Sequence, residues 1–140
     1  MRVIVFVKAT EESEAGTMPS SELLEAMGRY NEELVEAGIM ESGEGLRPSS
    51  AGKRIAFDGP ARTVIDGPFE HPGELVAGFW IWKVKDMDEA VAWAKKCPNP
   101  MSGPSDLEIR PFYEIEDFGD AMTPELVEQE KRMRDQLDAG

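Results

Sequence analysis

The chain has 140 residues, 41% hydrophobic and 31% charged, the balance of a folded globular domain rather than a disordered segment. That length supports one substantial core and not two independent ones. Its 28 acids outweigh 15 bases, for a formal charge of −13, a field that repels nucleic-acid phosphates and anionic membrane surfaces and argues against both as partners.

The opening "RVIVFVKA" (2–9) is a β-branched run with Val3, Val5 and Val7 on one face and Ile4 and Phe6 on the other. Apolar residues on both faces predict a central strand covered on both sides. Five consecutive apolar residues are too few for a signal peptide or a membrane span, so a cytoplasmic protein is expected. After the polar loop "TEESEAGTM", Leu23, Met27, Tyr30 and Leu34 recur at helical spacing. Ser20 or Ser21 is placed to cap that helix and Gly38 to stop it.

Residues 39–52 begin as a short strand and dissolve into Gly, Pro and Ser. "KRIAF" and "RTVID" flank Asp58-Gly59-Pro60 and read as a hairpin, with Ile55 and Phe57 on one face. "LVAGFWIWKVK" (75–85) again has two apolar faces, Leu75, Ala77, Phe79 and Ile81 against Val76, Trp80, Trp82 and Val84. A second helix follows, capped by Asp86 with Glu89 three residues on, striped by Met87, Ala90, Val91 and Ala94, and stopped at Pro98. "DLEIRPFYEI" is a last strand in which Leu107 and Ile109 alternate with Glu108 and Arg110. Thr123 and Pro124 open a final helix with a thin apolar stripe, Leu126, Met133 and Leu137.

The β-α-β-β-α-β order predicts a ferredoxin-like α+β sandwich with an extra hairpin and an appended C-terminal helix. The expected division is a barrel domain over residues 1–118 and a helical extension over 119–140. Two amphipathic helices cover one sheet face only, and the other would be a large exposed apolar patch. A two-fold homodimer that pairs the open faces hides it.

From "VIDGPFEHPGELVAGFWIWKVKDMDEAVAWAKKCPNP" the chain resembles the YCII-related family, in its DGPF branch. "MPSSELLEAMGRYNEELVEAGIM", "GEGLRPSS" and "EIRPFYEIEDFG" extend the resemblance over nearly the whole chain. It implies a dimeric α+β barrel. The wider family includes a dehydrochlorinase, similarly folded dimers include lactone isomerases and oxygenases, and genes of the branch often neighbour those of extracytoplasmic-function sigma factors. Where the family loop usually carries an acid and a lysine, this sequence has His71 and Gly73, whereas Asp66 and Glu74 keep the pattern. Relatives that do chemistry are associated with a His–Asp pair whose histidine lies earlier; here no histidine precedes His71.

Asp66 before Gly67-Pro68 reads in two ways, as an Asx-type turn or as a desolvated carboxylate that shuttles protons. His71, five residues on, is either its acid–base partner or a solvated loop residue. Glu44, Arg47 and Ser49 in "GEGLRPSS" either contact a ligand or belong to an irregular edge connection, and Arg110 in the last strand either binds a substrate carboxylate or pairs with Asp66 or Glu108 as a structural bridge. Trp80, Trp82 and Phe6 are expected to fill a dimer core. The single cysteine, Cys97, reads as a structural thiol.

One histidine and one cysteine cannot build a zinc site, and dinucleotide, P-loop and hydrolase-elbow motifs are absent from the sequence. No metal or cofactor is therefore expected. Three readings remain: a cofactor-independent enzyme moving a proton on a small organic acid or lactone-like substrate, a non-catalytic ligand-binding or regulatory dimer linked to a sigma factor, or a purely structural dimer if tryptophan and arginine side chains fill the cavity.

Overall fold

The computed structural model describes residues 1–140. The strands are β1 (Arg2–Lys8), β2 (Met40–Gly45), β3 (Lys53–Asp58), β4 (Ala61–Asp66), β5 (Val76–Lys83) and β6 (Leu107–Pro111). The helices are α1 (Glu11–Glu14), α2 (Ser21–Glu36), α3 (Met87–Lys95) and α4 (Pro124–Ala139). Strands β2-β5-β1-β6 form one antiparallel sheet and β3-β4 a separate ribbon. With α2 and α3 as the crossovers, that order is the ferredoxin-like α+β arrangement expected, the ribbon being the extra hairpin.

Sequence alternation sets the two sheet faces. Val3 and Val5 pair with Trp82 and Trp80 on one face. Tyr30 and Leu34 from α2 and Ala90 from α3 join them in the buried core, with Met27, Met87 and Trp93 packed alongside. Trp82 is wholly buried, and Trp80 donates from Nε1 to Asn31 Oδ1 at 2.9 Å. These tryptophans therefore fill the core of the protomer itself, not a dimer core; only Phe6 of that trio lies on the opposite face. Two aromatic side chains on the helix side provide the bulk that short α3, with only Ala90 buried, cannot.

Both main helices start where capping chemistry places them: Ser20 Oγ accepts from Leu23 N at 3.1 Å and Asp86 Oδ1 from Glu89 N at 2.9 Å. Gly38, at φ 73°, ends α2 in the left-handed conformation that glycine adopts without strain.

Three local expectations need correction. The loop after β1 contains a short helix, α1, whose cap Thr10 is engaged reciprocally with Ser13. On α3 the inward stripe includes Trp93, while Val91 is exposed, because Trp93 reaches the core from a neighbouring position on the turn. The last strand stops at Pro111, which cannot donate to a ladder, and Ile115–Ala121 follow as 3₁₀ turns broken at Gly119, whose φ of 60° and ψ of −143° are not helical. Helix α4 has no buried residue, and no helix is long and apolar enough to cross a membrane.

Candidate functional site

The face of the sheet away from α2 and α3 carries the remaining alternate residues. Register lines them up in rows. Glu44, Phe79, Phe6 and Glu108 form one row across all four strands, and Ser42, Ile81, Ile4 and Arg110 form the next. The centre is an apolar floor of Ile4, Phe6, Phe79 and Ile81, all half-buried. Its β6 border is charged: Glu108 lies 3.7 Å from Lys8 Nζ and 3.6 Å from Arg110 Nη1.

Lys8 was not among the residues singled out by motif. Its side chain is only 18% exposed and reaches the backbone oxygen of Glu74 at 3.5 Å. A register shift at Val7/Lys8 against β5 marks a bulge there, a device that re-aims side chains at strand ends. An open groove of about 610 Å³ runs beside Lys8, Glu74, Asp106 and Glu108. The usable signal was alternation itself, since Lys8 continues the Ile4–Phe6 face.

The DGPF turn is held from the other side of the chain. Ser49 Oγ accepts from Phe69 N at 2.9 Å and donates to Glu14, whose carboxylate also accepts from Ser49 N at 2.8 Å. Gly67 N donates to Gly52 O at 3.0 Å. A Cβ on Gly67 would lie 1.8 Å from the Ser49 carbonyl oxygen, so only glycine permits this approach of two backbones. "GLRPSS" and "DGPF" thus interlock, with Ser49 as the bolt and Glu14 as its anchor.

The predicted site residues fall into two groups. Glu44 and Arg110 share the open sheet face. Ser49, Asp66 and His71 sit off the sheet, around the turn, and Arg47 is exposed in the loop between β2 and β3. Asp66 is 73% exposed and ion-paired with Lys53 at 2.5 Å. His71 is 72% exposed, 4.0 Å from Glu70, and holds a left-handed backbone at φ 62°. No hydrogen bond joins Asp66 to His71; each has a different partner.

Two groups in the core are pushed away from their ordinary values. Burial raises the Tyr30 phenol, helped by Cys97 and Glu33, above the usual tyrosine range, and its hydroxyl donates to Trp93 O at 2.6 Å. Burial pushes the Cys97 thiol up to about 11, which leaves it protonated and poorly nucleophilic at neutral pH.

The model of the YCII-related domain family matches residues 1–113. An uncharacterised protein of Rhizobium meliloti (strain 1021) is 30% identical over 78 residues, covering 56% of this chain and 63% of that protein; the chain therefore matches less than two thirds of that relative's length. Among solved structures, 5-chloro-2-hydroxyhydroquinone dehydrochlorinase (TftG) from Burkholderia phenoliruptrix AC1100, in complex with 2,5-dihydroxybenzoquinone, aligns at a TM-score of 0.45 and 16% identity. That alignment covers 81% of this chain and 95% of the other.

Proposed function

The chain belongs to the YCII-related family, and from that premise we propose that it is a homodimer binding a small organic acid with an apolar body on the open face of the sheet. The observation that carries the reading is the pair of rows on that face: an aromatic and aliphatic floor with two cations, Lys8 and Arg110, on its border. Phe6 and Phe79 take the body of the ligand, and the cations take its carboxylate. Glu108 holds both cations at long range only, 3.7 and 3.6 Å, so an incoming carboxylate competes on favourable terms. A second copy closes the site from above and removes the apolar floor from water. A cytoplasmic location goes with this reading, since a single thiol forms no internal disulfide.

Binding is preferred to proton transfer by Asp66 and His71 because both are solvated and separately partnered. An acid–base catalyst takes its tuning from desolvation or a close charge in a pocket.

The test is calorimetric titration with benzoate and its hydroxylated relatives, beside sedimentation equilibrium. Lys8→Met is expected to weaken binding by roughly 10-fold to 100-fold, the worth of one charge-assisted hydrogen bond. Glu108→Gln is expected to tighten it, by freeing the cations. Equal affinities for wild type and both variants would refute the site, and a wild-type protomer of 15.5 kDa at micromolar concentration would refute the dimer.

A further inference from the structure

We propose that the β3–β4 hairpin is an arm that docks on the body of a second copy of this chain; the proposal rests on the homodimer reading above. All twelve strand residues of the hairpin are exposed. Register puts Ile55, Phe57 and Val64 on one face, exposed by 48%, 71% and 58%. Three large apolar side chains at the same face of a two-stranded ribbon are a surface with no cover from their own chain. Each gains from being covered, whereas a lone ribbon is marginal in water.

The arm is held at its root and bare beyond it. Gly67 N bonds to Gly52 O, Phe69 N bonds to Ser49 Oγ, Ser49 is anchored on Glu14, and the Arg54 guanidinium lies 3.9 Å from the centroid of the Phe69 ring. Fixing the root removes much of the ordering cost that a flexible loop would meet on docking.

Charge selects the occupant. The segment 53–66 has three bases, Lys53, Arg54 and Arg62, against two acids, Asp58 and Asp66, in a chain of net −13. The rest of the molecule is therefore strongly acidic, and a second copy presents that acidic surface. Arg62 shares the Ile55–Phe57–Val64 face and lies 4.6 Å from the centroid of Phe57. It donates only to the carbonyls of Gly59 and Ala61, so its charge has no carboxylate partner within the protomer. An apolar patch with an unpaired cation at its turn end fits an acidic surface with apolar residues, and it does not fit another hairpin of the same charge. In a two-fold dimer the contact is made twice, arm to body each way.

The experiment replaces Phe57 by a photo-crosslinking phenylalanine analogue in the full chain, irradiates it, and maps the linked peptides by mass spectrometry, with sedimentation equilibrium run in parallel. Isotope-mixed protein distinguishes links between copies from links within one. Expected are links between copies that end outside residues 53–66, and a dissociation constant raised about 10-fold or more by Arg62→Glu or Phe57→Ser. Both positions are exposed, so circular dichroism should show an intact fold. A dimer that gives no such link, links hairpin to hairpin, or is indifferent to both substitutions overturns the arm and leaves the dimer standing. A wild-type monomer overturns both.

Discussion

Replacing Gly67 with alanine tests the interlock between the DGPF turn and the β2–β3 loop. The new methyl would sit 1.8 Å from Ser49 O and 2.7 Å from Ser49 C; real Cβ atoms essentially never come within 3.0 Å, so a gap of at least 1.2 Å must open. The obstacles are backbone atoms, which no rotamer change can move. Relief comes in one of two ways. The core-side structure strains, at about 1–3 kcal/mol for overpacking, or the root of the hairpin lets go. Letting go loses the Gly67–Gly52 and Phe69–Ser49 hydrogen bonds, about 1 kcal/mol each, together with the Arg54–Phe69 contact, about 0.5–2 kcal/mol. The strain route costs about 1–3 kcal/mol and the release route about 2.5–4 kcal/mol, which for a domain of this size lowers Tm by roughly 4–14 °C. Thermal denaturation followed by circular dichroism measures the total, and hydrogen exchange at the Phe69 amide reports which route is taken. Gly73→Ala is the control, because a Cβ there meets no heavy atom within 4 Å. The interlock is refuted if Gly67→Ala melts within about 2 °C of wild type with the Phe69 amide still protected.

Trp82→Ala is expected to cost about 3–5 kcal/mol by urea denaturation, since that ring is wholly buried at the centre of the core. Trp80→Phe, losing chiefly the Asn31 hydrogen bond, should cost about 1 kcal/mol beyond its change in volume. Cys97, raised to about 11 by burial, should react with a disulfide reagent much more slowly than free cysteine at pH 8. Its raised value makes the folded state hold the proton longer, so its contribution to stability is present below pH 9 and falls as pH rises toward 11; Cys97→Ser should flatten that decline. Truncation before Thr123 removes a helix with no buried residue and should move Tm by less than about 2 °C.

Alternation and capping carried most of the fold. The β1 and β5 runs revealed two-sided strands, and Ser20, Asp86 and Gly38 marked helix ends where the structure has them. These signals are local, set by pleat geometry and by the orphan amides of a helix turn. The direction of each face was not local. Trp80 and Trp82 suited either side of the sheet in sequence, and the helices decided it by needing bulk opposite a small Ala90. The Glu14–Ser49–Phe69 bolt joins residues 35 and 20 apart, and nothing in their spacing signals it. Lys8 was readable in principle, as the third member of the Ile4–Phe6 face, but a lysine that ends a strand ordinarily reads as solvated.

Topology also explains why the open face cannot be remedied within one protomer. Strand β1 runs parallel to β2 with β5 between them, and β5 runs parallel to β6 with β1 between them. Crossovers of this kind are right-handed. The two pairs run in opposite directions and step across the sheet in opposite senses, so a right-handed turn places α2 and α3 on the same side. The handedness rule that builds the core thus strips the other face of its helices. Of the chain's remaining elements, α1 has one turn, and α4 keeps Leu126, Met133 and Leu137 exposed instead of spending them on the sheet. Ile4, Phe6, Phe79 and Ile81 are therefore left without a helix of their own, on the face that also carries Lys8 and Arg110.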